Sequence, residues 1–227
     1  MLSFARSLPS RGWIVAALFG VAAVFFSPVP TRAEDEIDIA AARARPLGTV
    51  VTVEGSVTVP SGAFSSSTFD QGFAIQDRTA GIYVAIATDL ELELRRQVRV
   101  TGQLADNGHG VLTVVPAGPS AVRVDDRGRR VEPRWVSTGS IGEATEGLLV
   151  RVVGTITQPI APDPPFGTII IVDDGSGPIR IFVCASTGID LSGLAAGQRV
   201  SVTGLSYQFG DFEVDPRFQR DIRRRED

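Results

Sequence analysis

Residues 49–59 read TVVTVEGSVTV, and residues 148–158 read LLVRVVGTITQ. In the first stretch Val51, Val53, Val57 and Val59 alternate with Thr52, Glu54, Ser56 and Thr58. In the second, Val150, Val152 and Ile156 face one way and Arg151 and Thr155 the other. A period of two indicates a strand with one buried side. Each strand is interrupted at the matching place by a glycine, Gly55 or Gly154, and a glycine inside a strand marks a bulge or a sharp bend. Such a bend lets one long strand serve both halves of a small barrel.

The match continues outward from these strands. The hairpin GFAIQDRTAGIYVAI at 72–86 corresponds to TIIIVDDGSGPIRIFV at 168–183, and Val100-Thr101-Gly102 corresponds to Val202-Thr203-Gly204. An internal repeat fixes the architecture before any local motif does. In each copy Leu90–Arg96 or Ile189–Gly197 connects the third strand to the fourth, and Val111–Val115 or Phe209–Val214 forms the fifth. The expected fold is all-β, with two tandem five-stranded OB-type Greek-key barrels. Closure removes the exposed edges that Val- and Ile-rich strands would otherwise present. The boundaries read as a signal peptide at 1–33, a lead-in at 34–47, the first barrel at 48–116 and a linker at 117–146. The second barrel follows at 147–218, then a charged tail at 219–227.

The pattern V-x-V-x-G-x-V-T, G-F-x-I-Q-D, G-I-Y-V, V-x-V-T-G resembles the OB-fold modules of secreted bacterial nucleases and related exported proteins. The resemblance covers both repeats and implies a barrel associated with nucleic acids. It implies no nuclease activity, because the catalytic domain of those enzymes is separate and has no counterpart in this sequence.

The N-terminal segment carries Arg6 and Arg11 ahead of the uncharged run Trp13–Phe26, then Pro28 and Pro30, and Thr31-Arg32-Ala33 with small residues one and three before a cut. This is the form of a secretory signal peptide, too short for a comfortable membrane span of about 20 residues. The expectation is an exported protein, periplasmic or extracellular, whose mature chain starts near Glu34. Retention of the segment as an anchor is the alternative. All basic residues are arginine, and the formal net charge of the 227-residue chain is −4. Bulk negative charge disfavours non-specific attraction to nucleic acid or anionic membrane, so any anion site must be local. The single cysteine, Cys184, ends the apolar strand IRIFVC and reads as a buried structural residue.

Catalytic signatures are missing from the sequence. His109 is the only histidine and stands in a glycine-rich turn. There is no HExxH, no paired cysteine, no phosphate-binding loop and no nucleophile elbow. Asp173-Asp174 precedes a glycine-rich turn and has the form of a weak calcium loop, although turn formation explains it as well. No enzyme activity, cofactor or metal is expected. An OB barrel binds ligands on the outer side of strands two and three with their flanking loops. The outward residues there are Arg151, Arg180 and Phe182, with Phe166 in a loop, for the second barrel. For the first they are Gln76 and Tyr83, with Phe64 and Phe69 in a loop. Aromatic side chains beside arginines suit single-stranded nucleic acid or an oligosaccharide. Two readings compete with this: Phe182 and Tyr83 cover a barrel-to-barrel interface, or the chain is a structural module whose barrels dock on an envelope protein. Arg223-Arg224-Arg225 is flanked by acids and reads as a solvated tail.

Overall fold

The computed structural model describes residues 35–125 and 128–225. The expected signal peptide at 1–33 lies outside the described residues. Among those described, no helix is long and apolar enough to cross a membrane.

The first barrel consists of β1 (Val50–Val59), β2 (Phe73–Gln76), β3 (Gly81–Val84), β4 (Gln97–Asp106) and β5 (Leu112–Pro116). Its strands neighbour one another in the order β1-β2-β3-β5-β4, and β4 returns to β1. The β3–β5 pair is parallel and the others are antiparallel. Within 117–146, β6 (Val122–Asp125) extends the first barrel along β4, and β7 (Arg134–Trp135) runs parallel to the first strand of the second barrel. That barrel repeats the closed order with β8 (Leu149–Ile156), β10 (Gly167–Asp173), β11 (Ile179–Cys184), β13 (Asp211–Asp215) and β12 (Arg199–Phe209). A short β9 (Ala161–Asp163) pairs with β10, and β14 (Ile222–Arg224) pairs with β12. Two closed OB barrels in tandem therefore form the fold.

The glycine bends act as the repeat implies. Val50–Ser56 of β1 pairs with β4, and Ser56–Val59 pairs with β2. A Cβ on Gly55 would stand 3.0 Å from the backbone of Gln76, and one on Gly154 would stand 2.7 Å from that of Asp173. The strand thus crosses from one half of the barrel to the other where no side chain fits. Beyond the bend the simple alternation fails. The β1–β2 register shifts between Val57 and Val59, so Val57 stays in the barrel core while Val59 turns outward.

Each lead-in plugs its barrel. The helix α1 (Ile39–Arg43) buries Ile39 and Ala42 in the first core, and Ile141 enters the second. The hairpin aspartates hold these plugs. Asp77 Oδ2 accepts the Ile39 N–H at 2.8 Å, while Asp174 accepts the Thr138 N–H at 3.1 Å and its hydroxyl at 2.8 Å. Donation from the Ser176 and Thr138 hydroxyls keeps the Asp174 carboxyl well below the usual range. A structural hydrogen-bond role accounts for this aspartate without a cation.

Between the two cores lies a third apolar layer, built from the outer sides of both barrels. Val59, Phe64, Ala74 and Tyr83 come from the first; Phe182, Cys184, Leu205 and Tyr207 come from the second. Polar ties surround it. Arg43 Nη2 lies 2.8 Å from Glu146 Oε1, and Gln76 Oε1 accepts the Leu149 N–H at 2.9 Å. Gly81 and Gly147 bring the two backbones so close that a Cβ on Gly81 would meet the Gly147 carbonyl oxygen at 1.9 Å. The described residues accordingly belong to one compact unit.

Candidate nucleic-acid interface

The strand phase expected from the sequence is correct within each barrel, since Tyr83, Arg180 and Phe182 leave their own cores. The two outward sides, however, face each other. Phe64 is 1% exposed, Tyr83 2% and Phe182 8%, so none of them offers an open stacking platform. Gln76 is taken up by the bond to Leu149. Arg180 places Nε 2.7 Å from Glu213 Oε2 and donates from Nη2 to the Phe209 carbonyl at 2.9 Å. Phe69, Tyr83, Phe166, Arg180 and Phe182 do converge, on an interbarrel chamber of about 500 Å³. Phe64 lies in the apolar layer and Arg151 lines a separate cleft.

Two acids sit buried behind this layer. Burial pushes Glu213 up to about 7 against the opposing pull of Arg180. It raises Asp215 as well, and the neighbouring Glu213 charge adds to the effect. Among the described residues Asp215 Oδ1 has no hydrogen-bond partner. Cys184 is buried, with Sγ 3.0 Å from Ser67 Oγ, and burial pushes its thiol far up, so it packs as an inert residue.

The separate cleft, about 390 Å³, is basic. Arg95 comes from the first barrel, Arg129 and Arg130 from the connecting segment, and Arg151 from β8. Arg217, Arg220 and Arg223 come from the residues after β13, and among the described residues the only acid lining the cleft is Asp221. That acid is satisfied internally. Its carboxylate accepts Arg217 Nε at 2.9 Å, Arg217 Nη2 at 3.1 Å and the Arg217 backbone N–H at 3.0 Å, while Arg217 Nη1 donates to the Thr58 carbonyl. This buried pair is a strut between the barrels. Among the described residues Arg95, Arg129, Arg151, Arg220 and Arg223 form no ion pair. An adjoining hollow of about 130 Å³ extends the basic surface past Arg151 to Arg224 and Arg225.

Strand pairing builds this surface from distant segments. Parallel pairing of β7 with β8 sets Trp135 opposite Arg151, and antiparallel pairing of β14 with β12 sets Arg223 opposite Ser201. Arg151 donates to Thr203 Oγ1 at 2.8 Å, and its guanidinium lies 5.2 Å from the Trp135 ring centroid. Trp135 remains 61% exposed. Arg220 lies 4.1 Å over the Phe218 ring. Guanidinium groups meet phosphate oxygens through a planar fork of donors, and an exposed indole offers a surface for a base. The sequence reading found Arg151 alone of this set. In the sequence 223–225 reads as a tail because Asp221, Glu226 and Asp227 flank it. The spacing of Arg217 and Asp221, four residues apart, was the one available sign that this acid had a private partner.

No protein-family model matches the chain, and no curated protein does. Solved structures do resemble it. Fission yeast Pot1 with single-stranded DNA is 10% identical, covering 80% of this chain and 85% of that one, at a TM-score of 0.37. A murine DNA-binding protein bound to double-stranded DNA is 12% identical over 68% of this chain and 83% of its own, at 0.32. The tetrameric p202 HIN2 is 12% identical over 79% and 92%, at 0.35. The strand order of the two barrels carries the OB assignment; the tie to secreted nucleases stays an expectation of the sequence.

Proposed function

We propose that this is an exported, non-catalytic protein that holds single-stranded nucleic acid in the arginine cleft. One observation carries the reading: five arginines that form no ion pair among the described residues converge beside an exposed tryptophan on a chain whose net charge is negative. The local concentration of guanidinium supplies the anion site that bulk charge does not. Trp135 beside Arg151 favours an unpaired strand, whose bases present their π-faces, over a duplex that hides them. The test is fluorescence anisotropy of a labelled oligothymidylate titrated with the mature chain in rising salt. If about five phosphates are neutralised, log Kd should change with log salt at a slope of about 3.5, or roughly 100-fold between 50 and 200 mM. The double variant Arg151→Ala/Arg220→Ala should lower both affinity and slope. A wild type that does not bind at 50 mM salt, or a variant that binds like it, refutes the proposal.

A further inference from the structure

The interbarrel chamber has a chemistry opposite to that of the cleft. Three ring pairs line it, each with one ring from either barrel. Phe69 and Phe166 meet edge to face at 5.8 Å, Tyr83 and Tyr207 meet at 5.8 Å, and His109 stacks on Phe209 at 4.0 Å. Three carboxyl groups, Asp70, Asp163 and Glu213, share the lining with one cation, Arg180. Arg180 is already committed to Glu213 and to the carbonyls of Phe209 and Asp211, so it offers an incoming anion little. Asp70 receives the Thr68 hydroxyl, the Gly72 N–H and the Tyr83 hydroxyl, all on Oδ1, which leaves Oδ2 without a partner among the described residues. Ring faces carry negative charge density and attract cations, and a cage of several rings is the usual receptor for a methylated ammonium. A phosphate-bearing ligand would meet the wrong sign of charge here.

We propose that this chamber binds an organic cation, a methylated ammonium attached to a larger organic body. Its volume of about 500 Å³ falls in the range of small-molecule pockets and exceeds what a bare ammonium group fills. Phe69, 78% exposed, and Phe209, 49% exposed, stand at the rim where such a ligand would enter. The site needs both barrels, because neither supplies more than half of each ring pair.

The probe is choline, compared with its neutral isostere 3,3-dimethylbutan-1-ol, each titrated into the mature chain by calorimetry. Choline should bind saturably and the isostere at least about 10-fold more weakly. Phe69→Ala and Asp163→Asn, both near the rim and outside the apolar layer, should each weaken choline by roughly 2- to 30-fold. Circular dichroism of each variant establishes that it is folded. Equal binding of the isostere overturns the proposal, as does absence of saturable choline binding. So does selective binding of a neutral oligosaccharide such as maltotriose. The oligothymidylate titration is independent of all these outcomes.

Discussion

Raising the pH from about 4.5 to about 7 should destabilise this protein, and the cause lies between the barrels. Asp215 and Glu213 feel one guanidinium, Arg180, which pairs with Glu213, and both carboxyl groups are withdrawn from solvent: Asp215 is 1% exposed and Glu213 2%. Arg180 neutralises one carboxylate, so a proton on the pair neutralises the other. Burial raises the titration of both acids above the usual carboxylate range. The folded chain therefore keeps a proton that the unfolded chain releases. The resulting stability is fully present below the unfolded carboxyl range and is lost as pH rises through the folded value. Each pH unit over which one extra proton is retained costs about 1.4 kcal/mol. From about pH 4.5 to about 7 the loss is on the order of 3 kcal/mol. In a fold of this size that corresponds to a fall in Tm of about 6–12 °C. Glu54, Asp77 and Asp174 are shifted downward, so their contribution is present above the unfolded range and lost only as pH drops through about 4 and below. The two windows do not overlap. The assay is thermal unfolding by circular dichroism from pH 4.5 to 8 at fixed ionic strength, on wild type and Asp215→Asn. Asparagine keeps the shape of the protonated acid and cannot ionise, so the variant should lose most of the slope. A wild-type Tm that is flat or rises between pH 4.5 and 7 refutes the reasoning, as does an equal slope in Asp215→Asn.

Two substitutions separate the cleft from the barrel interface. Trp135→Ala should weaken oligothymidylate binding by about 1–3 kcal/mol, read by anisotropy, while urea unfolding changes by no more than about 0.5 kcal/mol because the side chain is exposed. Gly81→Ala introduces a Cβ 1.9 Å from the Gly147 carbonyl oxygen and must push the barrels apart. It should cost about 2 kcal/mol or more in urea unfolding and increase binding of an apolar dye, whereas a wild-type-like variant would deny the close approach.

What could be read from the sequence divides along a physical line. Alternation and glycine placement are local, and they specify which side chains enter a barrel: Phe73, Ile75, Ile82 and Val84 fill the first core as the period of two requires. The same period says only that Tyr83 and Phe182 leave their barrels. What lies beyond them depends on the second barrel's position, and no local pattern encodes that. The interface reveals itself instead in pairs such as Gly81 with Gly147 and Gln76 with Leu149, which have no meaning until the barrels are docked. The bulge that redirects Val59 is local but depends on the partner strand, so alternation alone misplaces it.

The arginine cleft shows the same limit from the side of charge. Its residues come from positions 95, 129–130, 151 and 217–223; acids are interspersed with the groups at 95, 129–130 and 217–223, while Arg151 stands alone between valines. Folding sorts these charges. Asp221 turns inward to Arg217 and Glu132 pairs with Arg130, while β14 and β7 add onto the second barrel and bring Arg223 and Trp135 to the same surface. The net charge of the chain and the charge of its cleft thus have opposite signs for one reason. The pairing of Asp221 with Arg217 and of Glu132 with Arg130 leaves the remaining guanidinium groups together. The same docking that hides the usual OB binding side between the barrels creates this cleft at their junction, so loss of the interface should abolish both sites at once.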